Sequence, residues 1–405
     1  MEDMDMDDLP EFHPINPGSK TFHWILSIIL LVLFPTISST FSIANRFNWS
    51  LILQYISTIY SIFETLFIKF PDPNGHENIT SRGTSWSLSI LLSLTIFLGT
   101  FINGSNLIIN KFYSNLNHFH ESSWLSKLYK SFSILSALNG SIRVVMAASA
   151  LLGFCYNDHA GQCAAHFIMG GSFILYSLIL SIVLVVPWIR KHSYIQEFYD
   201  SIVMLLFGLV NTFTEHRWGQ NWSMSDFQHT SFGLIWLCGG MLGVYFSVKR
   251  RNWIPSILLI CTGYAMSQHS QHLEISTKVH AVFGFALMTA GITRIIEISF
   301  LLKDKSSSSG IFSFQYLPPF CLTLSGILFM GANEEQLVLV HDLGSDHSAY
   351  VMILGSSAFL IFLYFQLLIQ LYLRLVGYNE DGELHKYDQL NAQDFELNDL
   401  EIDSE

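Results

Sequence analysis

The chain has 405 residues, of which half are hydrophobic and only 13% are charged. Soluble domains carry about a quarter charged residues, so this composition excludes an ordinary soluble protein and indicates a membrane protein. The net charge of −12 gives no support to nucleic-acid binding. It is not spread evenly over the chain, because half of the 32 acidic residues lie in its two ends, 1–11 and 378–405. Five cysteines without a CxxC pair exclude a zinc site built from thiolates.

Residues 1–20 form an acidic leader. They lack the positively charged segment with which a cleavable signal peptide begins. We therefore expect the first apolar run to act as a signal-anchor that exports this leader to the exoplasmic side.

Apolar runs recur along the chain at about the length that a bilayer crossing needs, roughly 20 residues. They predict an all-α membrane protein, a polytopic bundle of about eleven transmembrane helices in two modules, 21–190 and 198–376. The predicted spans are 22–40, 51–70, 86–108, 131–154, 166–189, 199–214, 229–248, 253–268, 279–302, 311–332 and 349–376.

Lysine and arginine are concentrated in the loops on one side of these spans, the pattern of cytosolic loops. This bias predicts a lumenal N-terminus, a cytosolic C-terminus and a place in the secretory pathway, with the endoplasmic reticulum as first choice and Golgi, vacuole or plasma membrane as alternatives. Glycosylation sequons at Asn78 and Asn221 fall in predicted exoplasmic loops. Cys155 and Cys163 flank one exoplasmic turn and are candidates for a disulfide in an oxidising lumen.

The C-terminal segment 377–405 is acidic and without periodicity, which predicts a disordered cytosolic tail. Residues 387–390 read Tyr-Asp-Gln-Leu, a pattern that sorting adaptors of membrane traffic read. Four-residue patterns of this kind also arise by chance, so both interpretations stay open.

The sixteen histidines are unevenly distributed over the predicted topology. Twelve lie on the exoplasmic side or at that boundary of the membrane, and four lie on the cytosolic side. The uneven distribution points to a site on the exoplasmic face.

Three predicted spans begin with a histidine that is followed four residues later by a glycine. A glycine one turn below a histidine leaves room either for a flat ring or for a closely packed helix. The first alternative predicts a cofactor site, with haem as the ring. Its candidate residues are His229, His280, Gly233 and Gly284.

Further histidines accompany carboxylates near the same predicted boundary, which suits a transition metal ion such as zinc, copper or iron. Neutral imidazole is the form that binds, so affinity should fall below about pH 6. The candidate metal ligands are His269, His272, His216 and His166.

Several charged residues lie inside predicted spans, among them Glu64, Arg143, Arg294 and Glu297. Buried charges in a bilayer are costly and are usually paired. Arg294 and Glu297 are three residues apart and can pair on one helix face. Glu64 and Arg143 can neutralise one another or other partners. A structural ion pair is the simplest interpretation of each.

The run KVHAVFGFALMTAGITRIIE (278–297), with FQHTSFGLIWLCGG (227–240), resembles the C-terminal domain of the fungal yeast putative transmembrane protein family. FHWILSIILLVLFP (22–35) resembles the N-terminal domain of that family. The resemblance implies a polytopic membrane protein without an assigned activity. The N-terminal domain is similar to two-haem cytochrome b reductases, but here the second and third predicted spans contain no histidine, which argues against a two-haem electron path.

The main hypothesis is a multi-pass membrane protein that binds a transition metal or haem on its lumenal side, with a redox role as one option. The alternatives are transport of a metal ion or small solute, metal-dependent hydrolysis, and a non-catalytic trafficking or scaffold role. No residue is assigned as catalytic, and whether the protein is an enzyme stays open. The expected partners are the lipid bilayer, the metal or haem, and sorting adaptors at the tail, without nucleic acid.

Overall fold

The computed structural model describes a chain whose regular elements are helices. The described residues are 17–69, 78–112, 124–155, 160–190, 195–214, 216, 219, 221–248, 250–268, 273–303 and 310–378. Nearly all of the predicted leader and of the predicted tail lies outside these ranges, as does the tyrosine motif at 387–390. The all-helical prediction is confirmed for the described part of the chain.

Fourteen α-helices, two π-helical segments and one short 3₁₀ helix make up the described residues. In chain order they are α1 Pro17–Ser27, a π segment Ile28–Leu33, α2 Phe34–Ile43, α3 Phe47–Phe67, α4 Ile79–Phe112, α5 Trp124–Leu151, α6 Ala160–Val185, α7 Pro187–Arg190, α8 Gln196–Thr214, α9 Met224–Ser247, α10 Ile254–Ser267, α11 Glu274–Ile296, a second π segment Glu297–Leu301, the 3₁₀ helix Ser313–Tyr316, α12 Leu317–Met330, α13 Glu334–Asp342 and α14 His347–Leu375.

Nine helical stretches in the described residues are long and apolar enough to cross a membrane, and α10 is a shorter apolar helix. The structure therefore supports nine to ten spans rather than a full count of eleven. At 1.5 Å per residue, α10 reaches about 21 Å, less than the roughly 30 Å of a hydrocarbon core. Helix α8 carries Glu197 and Asp200 near its start, which shortens its apolar stretch.

The helices form two compact units. Unit 1 comprises residues 1–161 and 370–405, and unit 2 comprises residues 162–369. The module boundary predicted at residues 190–198 falls inside unit 2. The candidate histidines 166, 229 and 280 all belong to unit 2.

The core of unit 1 combines many buried polar side chains with two small apolar clusters, around Leu92 and Tyr129. The buried side chains of α3 are almost all polar, whereas its exposed face carries large apolar residues such as Trp49, Ile59 and Phe63. Hydroxyl groups of neighbouring helices form hydrogen bonds with the buried polar face of α3. Ser61, for example, lies 2.8 Å from the hydroxyl of Ser89 in α4. In a bilayer, where no water competes, such bonds and small side chains hold helices together. The buried polar residues of α3 are Ser50, Gln54, Ser57, Thr58, Ser61, Glu64 and Thr65.

Unit 2 has an apolar core centred on α11 and α12. Val279, Phe283 and Leu287 of α11 are almost completely buried there, together with Leu328 and Phe329 of α12. His280, Gly284 and Gly291 are also buried, on the face of α11 that points into the core. His280 and Arg294 are 14 residues apart on α11, so helical rise separates them by about 21 Å.

Candidate metal site and buried charge clusters

The structure brings two predicted ligands together in the core of unit 2. The His166 ring on α6 and the His280 ring on α11 lie 6.0 Å apart between centroids, nearly perpendicular to each other. Both residues are buried, with 8% and 4% of their surface exposed. On its other side His166 stacks on Phe329 at 4.7 Å. Both histidines begin predicted spans at the exoplasmic boundary, and their rings lie next to each other in the structure.

Hydrogen bonds fix the orientation of both imidazole rings. His166 Nδ1 lies 2.9 Å from the carbonyl oxygen of Gln162, and His280 Nδ1 lies 2.9 Å from that of Ser276. A carbonyl only accepts, so Nδ1 donates in each ring and Nε2 of the neutral ring keeps its lone pair. His166 Nε2 is buried and has no hydrogen-bond partner. In a metal-binding histidine, Nδ1 usually donates to a carbonyl or carboxylate oxygen, and the lone pair of Nε2 binds the metal.

The other predicted ligands have different surroundings. His229 is exposed, and it interacts electrostatically with His166, as does Glu334. His216 instead bonds Asp226 at 3.2 Å and stacks on Trp222 at 4.2 Å. His269 and His272 lie outside the described residues. The described part of the predicted site is therefore centred on His166 and His280, with His229 and Glu334 as neighbours.

The predicted gaps beside Gly233 and Gly284 are filled by neighbouring helices. A Cβ at Gly233 would lie 2.5 Å from the backbone nitrogen of Thr212 in α8. One at Gly284 would collide with the carbonyl oxygen of Gly263 and with Ser267 in α10. Of the two interpretations that the sequence left open, close helix packing describes these two glycines. A flat ring has no room at either position in this conformation.

The modification candidates also have defined surroundings. Asn78 is buried, and its side-chain oxygen accepts a hydrogen bond from the Ser81 amide at the start of α4. Asn221 is exposed. Cys155 and Cys163 are disulfide-bonded. Glycosylation of the two sequons stays a prediction, and the capping role of Asn78 competes with it.

A second polar site in unit 2 is an ionic cluster around Glu197. Its Oε1 atom accepts from Arg294 at 2.7 Å and from Arg251 at 2.9 Å. Arg294 also pairs with Glu297 at 2.6 Å, which confirms the predicted ion pair. Burial lowers the pKa of the Arg251 guanidinium, and the Glu197 carboxylate opposes that shift. Glu297 begins the second π segment, and such segments often mark functional sites.

Unit 1 contains a buried ion pair of its own. Arg143 contacts Glu64 at 2.7 Å, and 3% and 2% of the two side chains are exposed. This confirms that Glu64 and Arg143 neutralise one another. Hydrogen bonds extend the site to a half-buried histidine: Tyr60 lies 2.9 Å from His23 Nδ1 and 3.0 Å from Ser27, whose hydroxyl donates to Glu64 at 3.5 Å.

Sequence reasoning did not single out Glu197 or the polar face of α3. The α3 face could have been found, because Ser50, Gln54, Ser57, Ser61 and Glu64 follow alternating steps of four and three, the period of one helix face. The apolar run around them concealed the pattern. Glu197 carried no local signal, since its partners Arg251 and Arg294 lie 54 and 97 residues away in sequence.

The fold and these sites define a class: a multi-pass helical membrane protein with paired charges inside its helical units. Comparison with known proteins then gives the family. The family profile described as "Protein YTP1-like, C-terminal" matches residues 139–373. Protein YTP1 of Saccharomyces cerevisiae is 46% identical over 98% of this chain and 89% of its own length. The chain belongs to the YTP1-like family.

Two further relatives are more distant. The "Uncharacterized membrane protein YCR061W" of Saccharomyces cerevisiae is 24% identical over 36% of this chain and 27% of its own length. The "Uncharacterized membrane protein C3B8.06" of Schizosaccharomyces pombe is 24% identical over 46% of each chain. No solved structure matches this chain.

Proposed function

We propose that this protein binds a transition-metal ion through Nε2 of His166 and of His280, on the lumenal side of the membrane. The observation that carries the proposal is the buried and unpartnered Nε2 of His166, next to a second histidine ring held in the same way. Leaving a buried polar atom without a partner costs about 1–3 kcal/mol. A bound ion would remove that cost. His229 and Glu334 interact electrostatically with His166, and either would have to move closer to serve as a third ligand.

The donor set fits an ion better than haem. Imidazole and carboxylate suit zinc, copper or iron, and an ion needs only the space between the rings. Haem between His229 and His280 would need a slot beside Gly233 and Gly284, and α8 and α10 fill those positions. A porphyrin would therefore require these helices to separate. When bound, the ion would supply either a Lewis acid or, for copper and iron, a redox centre.

Metal titration tests the proposal. Purified protein, stripped with a chelator and kept in detergent, is titrated with Zn²⁺ by calorimetry. We expect one tight site in the wild type and an affinity at least about tenfold weaker in His166→Ala and in His280→Ala. His341→Ala is the matched control, because His341 is an exposed histidine of the same unit, on α13. Equal affinities in the wild type and both core variants would refute the proposal.

Zinc binding should also depend on pH. Protonated imidazole cannot bind a metal ion, so affinity should fall as pH drops below about 6. The same titration at two pH values gives this dependence. An affinity that is independent of pH would exclude histidine ligands.

A second candidate function, transport of a small solute or ion, is favoured by the polar core of unit 1. Hydroxyl and amide groups follow α3 from Ser50 to Thr65, and Glu64, paired with Arg143, lies among them. Uptake of radiolabelled metal ions into proteoliposomes tests this candidate. Uptake by the wild type that is lost in Glu64→Gln would favour transport, and no uptake in either would favour static binding.

The finer topology and the compartment belong to the same proposal. We infer eleven crossings with α8 and α10 as partial ones, a lumenal N-terminus and the endoplasmic reticulum as the site of residence. The support is the bias of lysine and arginine toward one set of loops.

A further inference from the structure

We propose that Asp200 of α8 is a proton-binding site, a buried carboxyl group that takes up and releases one proton. This inference is independent of the proposed metal site, since none of the residues that carry it is a proposed ligand.

The proposal begins with a count of charges in the ionic cluster of unit 2. Its described charged groups are three carboxyls and two guanidinium groups, contributed by α8, α11, the second π segment and the loop before α10. They are Glu197, Asp200, Glu297, Arg251 and Arg294. The neutral groups that face them are Gln196, Gln315 and Tyr176. With every group in its usual state, the cluster would hold one uncompensated negative charge.

The hydrogen bonds show which of the three carboxyl groups has no arginine as a hydrogen-bond partner. Glu197 accepts from both guanidinium groups, and Glu297 accepts from Arg294 and from Gln315. These two carboxylates match the two arginines. Asp200, one turn further along α8, accepts instead from the neutral hydroxyl of Tyr176 in α6.

Burial makes an unmatched charge at Asp200 expensive. Only 9% of Asp200 is exposed, and the neighbouring Glu197 is 1% exposed. An uncompensated buried ion costs several kcal/mol, and a second carboxylate close by raises that cost. Binding a proton removes the charge and leaves the carbonyl oxygen of Asp200 to accept from Tyr176.

Two polar atoms in the ionic cluster that contains Asp200 lack a hydrogen-bond partner. The second oxygen of Glu197, Oε2, is buried without a partner, and so is Nε of Arg294. An acceptor and a donor left open in one cluster leave a place where a proton or a water could bind. Small cations are a poorer occupant, because the nearest carboxylates already bind two guanidinium groups.

Infrared difference spectroscopy of the full-length protein in lipid nanodiscs tests the proposal. A protonated carboxyl group gives a carbonyl band above the amide region, and an ionised one does not. We expect a band of one carboxyl at neutral pH that disappears on alkaline titration and is missing in Asp200→Asn. Tyr176→Phe should keep the band and shift its frequency, since it removes the hydrogen bond only.

Two controls keep the outcome decisive. Asp342→Asn should leave the band unchanged, because the Asp342 side chain is 63% exposed. If Asp200→Asn fails to fold, wild-type protein with ¹³C-labelled aspartate replaces it. Asp200 is the buried aspartate among the described residues, so its band should shift with this label and not with labelled glutamate. The absence of a band, or a band whose frequency does not shift with labelled aspartate, would overturn the proposal.

Discussion

At the scale of single residues, several buried charges in the described part of this protein pair with opposite charges. Glu64 meets Arg143 in unit 1, and Arg294 meets Glu297 and Glu197 in unit 2. The sequence predicted the first pairing and the Arg294–Glu297 pair, because intramembrane charges need partners and few were available. It did not predict the role of Glu197, whose partners are distant in the chain.

The Glu64–Arg143 pair gives a stability prediction. Glu64→Gln leaves a buried guanidinium without its counter-ion, which costs about 3–5 kcal/mol. The double variant Glu64→Leu/Arg143→Met removes both charges and should recover most of that loss. Thermal unfolding of purified protein in detergent measures all three forms. A single variant as stable as the wild type would show that the pair contributes little.

At the scale of helices, small residues set the closest approaches in unit 2. Gly170 of α6 faces Gly326 of α12, and a Cβ at Gly170 would lie 2.6 Å from the Gly326 carbonyl oxygen. The neighbouring Gly171 has nothing within 4 Å of the same position. Gly170 follows His166 by four residues, but this spacing alone could not distinguish a helix contact from a ligand slot.

The adjacent glycines allow a matched comparison. Gly170→Ala forces α6 and α12 apart and should destabilise the protein by about 1–3 kcal/mol. Gly171→Ala meets no neighbour and should be neutral or slightly stabilising, because alanine favours a helix over glycine. Unfolding midpoints of the two variants, measured in one detergent, provide the test. Equal midpoints would contradict the close contact.

The polar face of α3 gives a second prediction at this scale. Gln54 donates to Ser133 at 2.8 Å and accepts from Tyr129 at 3.0 Å. Gln54→Leu leaves both hydroxyls with one bond fewer in a buried site and should cost about 1–3 kcal/mol. Ile56→Leu, on the exposed side of α3, should stay within about 0.5 kcal/mol. If Gln54→Leu is as stable as Ile56→Leu, the polar core does not hold unit 1 together.

At the scale of the whole molecule, the sequence predicted the class and most of the crossings from apolar length alone. The two predicted spans that fall short of a full-length apolar helix are α8 and α10, because a run of apolar residues does not show where a helix ends. The sequence predicted that His166 and His280 lie near the same side of the membrane, but not that their side chains are in contact. Their contact depends on the packing of α6 against α11, which no local pattern encodes.

The number of crossings predicts where the two ends of the chain lie. Nine or eleven spans put the N-terminus and the C-terminal tail on opposite sides of the membrane, and ten put them on the same side. With the positive loops cytosolic, protease added to sealed microsomes should remove a C-terminal tag and spare an N-terminal one. Loss of both tags, or protection of both, would indicate an even number of spans.

The metal content of the purified protein tests the central claim most directly. Wild type and His166→Ala/His280→Ala are equilibrated with Zn²⁺, Cu²⁺ and Fe²⁺ in turn, freed of excess ion, and analysed by absorbance and elemental mass spectrometry. The account predicts about one bound ion per wild-type chain, none in the double variant, and no haem absorbance in either. A wild type that retains no ion, or a double variant that retains as much as the wild type, would contradict it.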